Sequence, residues 1–208
     1  MFTDITVILD RSGSMGSCVD DTIGGFNTFL KDQQEQAGKA NLSLVQFNHG
    51  YELVYNGTPI KNAPKLDTKN YVPMGSTALL DAMGKTITDV GARLKAMPMS
   101  ERPQNVLFVI ITDGLENASH QYNRNQVFDM VKHQQDVYKW QFLYLGANQD
   151  AIAVGITMGI PMASAGTYDA DNLVATYAVA SIATTGLRST GMPIGLTEEQ
   201  RKKMVTQK

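Results

Sequence analysis

Short apolar runs recur along the chain, and each ends on a polar residue or a glycine. Ile5-Thr6-Val7-Ile8-Leu9 ends at Asp10. The run 106–111 ends at Thr112-Asp113-Gly114, and Trp140-Gln141-Phe142-Leu143-Tyr144-Leu145 ends at Gly146. Continuous apolar runs, rather than alternating ones, mark parallel strands covered on both faces. Segments 41–47 and 51–55 are joined by Asn48-His49-Gly50, a hairpin signal that predicts one antiparallel edge strand. Between the runs, apolar residues return every three or four positions. Val19, Ile23, Phe26, Phe29 and Leu30 form one such series; Leu79, Leu80, Met83, Ile87, Val90 and Leu94 form a second. Further helices are predicted over 125–138 and 151–158, and another is expected to be capped by Asp171. Strands alternating with helices predict an α/β fold. It is a doubly wound, Rossmann-like and mostly parallel sheet with one antiparallel edge strand and helices on both faces.

The 208 residues carry no repeat and no low-complexity tract. They divide into one domain over 1–195 and a charged tail or short helix over 196–208, where Thr197-Glu198-Glu199-Gln200 reads as a capping box. Net charge is −2, which excludes a general affinity for nucleic acid or acidic membranes. No stretch approaches the roughly 20 apolar residues of a membrane span. The single Cys18 excludes an internal disulfide and a Cys-rich zinc site. Met1 leads almost at once into an apolar strand, with no basic segment before it. With the lone thiol, this places the expected location in the cytoplasm.

Candidate chemistry gathers at strand ends, where a doubly wound sheet holds its ligands. Asp10-Arg11-Ser12-Gly13-Ser14 follows the first strand, Gly75-Ser76-Thr77 precedes a helix, and Thr112-Asp113-Gly114 follows the central strand. Every donor is a hard oxygen, which suits Mg2+, Mn2+ or Ca2+ and not copper or structural zinc. Asp10, Ser12 and Ser14 alternate, so in an extended loop their side chains share one side. Two carboxylates only just balance a divalent ion, which leaves it open to one more anionic oxygen.

The order Asp10-x-Ser12-x-Ser14, then Thr77, then Asp113 strongly resembles the metal-ion-dependent adhesion site of von Willebrand factor A domains. The flanks match as well: Val7 to Met15, Gly75-Ser76-Thr77-Ala78-Leu79, and Ile111-Thr112-Asp113-Gly114. The resemblance spans roughly 2–185 by order of elements. It implies an intact site in which Ser12, Ser14 and Thr77 contact Mg2+ through hydroxyls, with Asp10 and Asp113 holding it directly or through water. It also implies a non-enzymatic protein-binding module in which a partner protein supplies a carboxylate to the open position. The type implied is free-standing, bacterial or phage.

Neighbouring residues are weighed separately. Arg11, Met15, Met74, Ser76 and Glu116 are expected partner contacts at the rim, with Ser76 equally suited to capping a helix. Gly84-Lys85-Thr86 is not a phosphate loop, because Leu79 stands where the first glycine is required. No G-x-S-x-G surrounds Ser12 or Ser14. The alternative function is a metal-assisted phosphoester hydrolase. None of the three loops holds a histidine, so Glu116 would have to be its general base.

Overall fold

A computed structural model describes residues 1–147 and 150–206. Its strands are β1 (Phe2–Asp10), β2 (Lys39–Phe47), β3 (Tyr51–Pro59), β4 (Asn105–Thr112), β5 (Gln141–Ala147) and β6 (Ala165–Tyr168). Its helices are α1 (Val19–Glu35), α2 (Leu79–Ala96), α3 (Arg124–Tyr138), α4 (Ala151–Thr157), α5 (Leu173–Thr190) and α6 (Glu198–Lys203). The six strands lie in the order β3-β2-β1-β4-β5-β6. β2 and β3 pair antiparallel; every other neighbouring pair is parallel. This is the doubly wound sheet with one antiparallel edge that the apolar pattern predicts.

The strand period of two sorts the core into two layers. Ile5, Val7 and Leu9 of β1, with Leu107, Val109 and Ile111 of β4, face Phe26, Phe29 and Leu30 of α1 and Tyr177 of α5. Ile8, Phe108 and Ile110 face the other way, onto Leu79, Met83, Ile87 and Val90 of α2 and Val127 and Val131 of α3. Apolar residues on both strand faces are therefore both used, which is why these runs do not alternate.

Three local expectations change. Asp171 does not cap α5: it lies in a 3-10 turn, Ala170–Asn172, and Asn172 precedes the helix without a side-chain cap. β6 was not foreseen, because Ala-Gly-Thr-Tyr has too few residues to show a period. Gly13–Cys18 is a 3-10 helix with Ser12 at its N-cap, not an extended loop, so Ser14 reaches the site from a turn. The charged segment from 196 onward forms α6, capped by the Thr197–Gln200 box, and docks on β6. Among the described residues no helix is long and apolar enough to cross a membrane.

The chain runs outward from β1 through β2 to β3, then returns to β4 on the other side of β1. The carboxyl ends of β1 and β4 thus flank the point where strand order reverses, which is where open α/β sheets bind ligands.

Candidate metal centre

Asp10 closes β1 and Thr112 closes β4; the pairing of Leu9 with Ile111 sets the two level. The Thr112 hydroxyl donates to Asp10 Oδ2 at 2.6 Å, and the Ser12 amide donates to Oδ1 at 2.7 Å. Ser12 Oγ and Ser14 Oγ lie 3.1 Å apart, and Ser14 Oγ donates to Asp113 Oδ1 at 2.6 Å. A Cβ added to Gly114 would lie 2.8 Å from Thr77 Oγ1 and 3.6 Å from Ser14 Oγ, so Thr77 faces the same spot. All five expected donors therefore converge, although they span more than a hundred positions of sequence. Asp10, Ser12, Thr77 and Asp113 are buried, and Ser14 is exposed.

Main-chain hydrogen bonds sew the loops together. Arg11 N donates to Phe47 O, Met74 N to Arg11 O and Gly13 N to Gly75 O. The β2–β3 turn joins in: Asn48 Nδ2 donates to Met74 O, and Ala78 N donates to Asn48 O. Thr77 N donates to Asn117 Oδ1, while Asn117 N and Ala118 N return bonds to Thr77 O. From below, the Tyr71 hydroxyl holds Asp10 O and the Tyr168 hydroxyl holds Thr112 O. Asn48, Tyr71, Asn117 and Tyr168 are supports whose roles the sequence does not reveal. Only the Asn48-x-Gly50 turn carried a local signal for one of them.

The electrostatics show what the pocket lacks. Burial pushes the Asp10 carboxyl up to about 6; hydrogen bonds from Thr112 and Ser12 oppose this, and the Asp113 charge adds to it. Burial raises Asp113 as well, against the Ser14 hydrogen bond. No cationic side chain contributes at either group. Two desolvated acids without a countercharge are unfavourable unless protonated or joined by a cation. Among the described residues no three His, Cys, Asp or Glu side chains are grouped to hold a metal. An ion here would thus depend on the hydroxyls, a hard set that fits Mg2+, Mn2+ or Ca2+.

The expected rim is only partly a rim. Met74 is 58% exposed, and Ser76 is exposed beside it. Ser76 does not cap α2. Arg11 is ion-paired with Glu52 at 2.7 Å. Met15 is fully buried among Leu9, Cys18 and Phe26 in the core layer under α1, so it has no surface to offer a partner. Glu116 is not a free rim acid. Its Oε1 accepts from Ala118 N and Ser119 N, and its Oε2 accepts from Leu80 N and the Ser119 hydroxyl. It caps α2 across the loops.

No family model and no curated protein sequence matches the chain. Solved structures do. Proximal thread matrix protein 1 from the mussel byssus superposes with a TM-score of 0.60 at 15% identity, over 85% of this chain and 46% of that one. The same protein with a zinc-occupied MIDAS motif gives 0.59 at 14% identity, over 86% and 47%. A von Willebrand factor type A structure from Catenulispora acidiphila gives 0.54 at 15% identity, over 88% and 42%. This chain spans less than half the length of each. At such identities the likeness establishes the fold, which is that of a von Willebrand factor A domain.

Proposed function

We propose that this protein is a divalent-cation-dependent protein-binding module with an intact adhesion-type metal site. Asp10, Ser12, Ser14, Thr77 and Asp113 would hold Mg2+, with Mn2+ or Ca2+ as substitutes. The bound ion would supply a Lewis-acidic position for a carboxylate of a partner protein. The observation that carries this reading is the pair of buried acids, Asp10 and Asp113, hydrogen-bonded by hydroxyls and without a cationic side chain beside them among the described residues. The zinc-occupied motif in a protein of the same fold supports it. A reducing, intracellular setting is part of the proposal and rests on the free, buried thiol of Cys18.

Calorimetric titration of the full chain with MgCl2 or MnCl2 tests it. Wild type should bind one ion, and Asp113→Ala should bind none while keeping its circular dichroism spectrum. A folded wild type that binds neither ion sinks the proposal. The hydrolase alternative would need a base other than Glu116, whose two oxygens are committed to donors of the protein.

A further inference from the structure

At the opposite end of the sheet, a cavity of about 530 Å3 opens between the last turns of α2 and α3. That volume is in the range of small-molecule pockets, roughly 300–1,000 Å3. Its floor is apolar: Trp140, Leu94 and Val106. Trp140 stacks on Phe108 in the core, with ring centroids 5.4 Å apart, so the indole is held rigidly from behind. The rim carries the basic residues Lys95, Arg102 and His133, and the described lining holds no Asp or Glu.

One residue of the lining runs against helix physics. Gly91 sits inside α2, where glycine is about 1 kcal/mol less favourable than alanine. Nothing steric demands it: an added Cβ would meet only the Trp140 ring, at an ordinary 3.9 Å. A larger side chain would grow into the cavity over the indole. Trp140 itself is 6% exposed, so what glycine preserves, at the expense of the helix, is the cavity space beside the indole.

Basic residues near helix C-termini have an ordinary explanation, since they offset the dipole. Arg102 partly answers to it, donating to Met97 O and Lys95 O. That explanation does not extend to the apolar floor or to Gly91. Lys95 and His133 are exposed and make no ion pair among the described residues.

We propose that this cavity is a second binding site, separate from the metal centre, for a small aromatic anion. Its ring fills the space that Gly91 leaves free and meets the exposed edge of Trp140, and its acidic group is held by Lys95 and His133 at the rim.

Trp140 is the only tryptophan in the chain, so tryptophan emission, excited selectively over tyrosine, reports on this cavity alone. The full-length protein is titrated with anilinonaphthalene sulfonate, an aromatic anion, and with phenylnaphthylamine, its uncharged analogue. The sulfonate should quench Trp140 and draw energy transfer from it, and should bind at least about tenfold more tightly than the neutral probe. Such a difference corresponds to about 1.4 kcal/mol. Gly91→Leu should abolish binding while melting no lower than wild type, because leucine is the better helix former. Lys95→Met with His133→Gln should weaken the sulfonate about tenfold and leave the neutral probe unchanged. Equal binding of the two probes, or sulfonate binding that persists in a folded Gly91→Leu variant, overturns the proposal. So does the absence of saturable quenching in wild type.

Discussion

At the scale of single residues, the proton and the metal ion compete for the same carboxylate. Asp10 has its folded pKa raised to about 6 from 3.8. Between those values the folded carboxyl keeps a proton that the unfolded chain has released. The ion-free fold is therefore expected to lose stability as pH rises through that window, by about 3 kcal/mol at most. A bound divalent ion should reverse the trend. Its affinity should fall about tenfold per unit as pH drops below about 6, with proton release on binding. Calorimetry in buffers of different ionisation enthalpy checks this; a pH-independent affinity from 5 to 7 would show that Asp10 does not face the ion. Gly75 supplies a second residue-scale test. Its φ is +74°, and an added Cβ would sit 2.2 Å from His49 Nδ1. Gly75→Ala should cost about 1–3 kcal/mol from the left-handed conformation alone. His49→Ala should recover only the part due to the clash, as a double-mutant cycle by urea unfolding would measure. The candidate donors were legible in the sequence because Asp10, Ser12, Ser14 and Asp113 follow apolar runs and Thr77 stands just before a helical series. Their supporting residues were not, because Tyr71, Asn117 and Tyr168 act through contacts with distant backbone that no local spacing encodes.

At the scale of elements, α2 shows how a helix can lack a local cap. Its N-cap position is Ala78, with no side-chain bond. The first-turn amides are met from the β4–α3 loop instead, Leu80 N by Glu116 and Asp81 N by Ser119. Asp81 repays the contact by accepting from His120 N, Gln121 N and Tyr122 N. Each acid caps the other's segment, and the negative charge of Glu116 lies where the helix dipole favours it. Glu116→Ala should therefore lower stability by about 1–2 kcal/mol in chemical denaturation. Glu116→Gln should recover part of that, since one oxygen can still accept. An unchanged midpoint in Glu116→Ala would mean that the cross-loop cap is not stabilising. The same logic marks the limit of pattern reading. The buried strand runs and the apolar faces of α1 and α2 were legible because burial imposes a period on many residues. The caps of α2 were hidden because they come from another loop. β6 was hidden because four residues of Ala-Gly-Thr-Tyr impose no period at all.

At the scale of the whole molecule, the sheet is completed by its C-terminal segment. β6 is a short edge strand, and an uncovered edge invites pairing with other chains. α6 and its flanks cover it. Arg201 donates to Ala165 O and Met162 O, and Asp169 N donates to Met204 O. Met204 is fully buried, with its methyl against Gly166 and its side chain in the core layer under α1 and α5. The charged sequence of α6 concealed this, because a single buried methionine after a run of Glu, Arg and Lys has no partner in period. Met204→Ala should destabilise the fold by about 2–5 kcal/mol, as for other buried large-to-small changes. Ending the chain after Gly195 should do at least as much and should promote self-association through the bared β6 edge. Thermal unfolding and light scattering on the two variants separate these effects. If the shortened chain melts with wild type, the C-terminal segment is an appendage and the domain ends before it. If it melts far lower and its folded state also binds Mn2+ more weakly than wild type, the metal centre and the β6 edge are coupled through Tyr168, which closes β6 and holds Thr112 O beside Asp10.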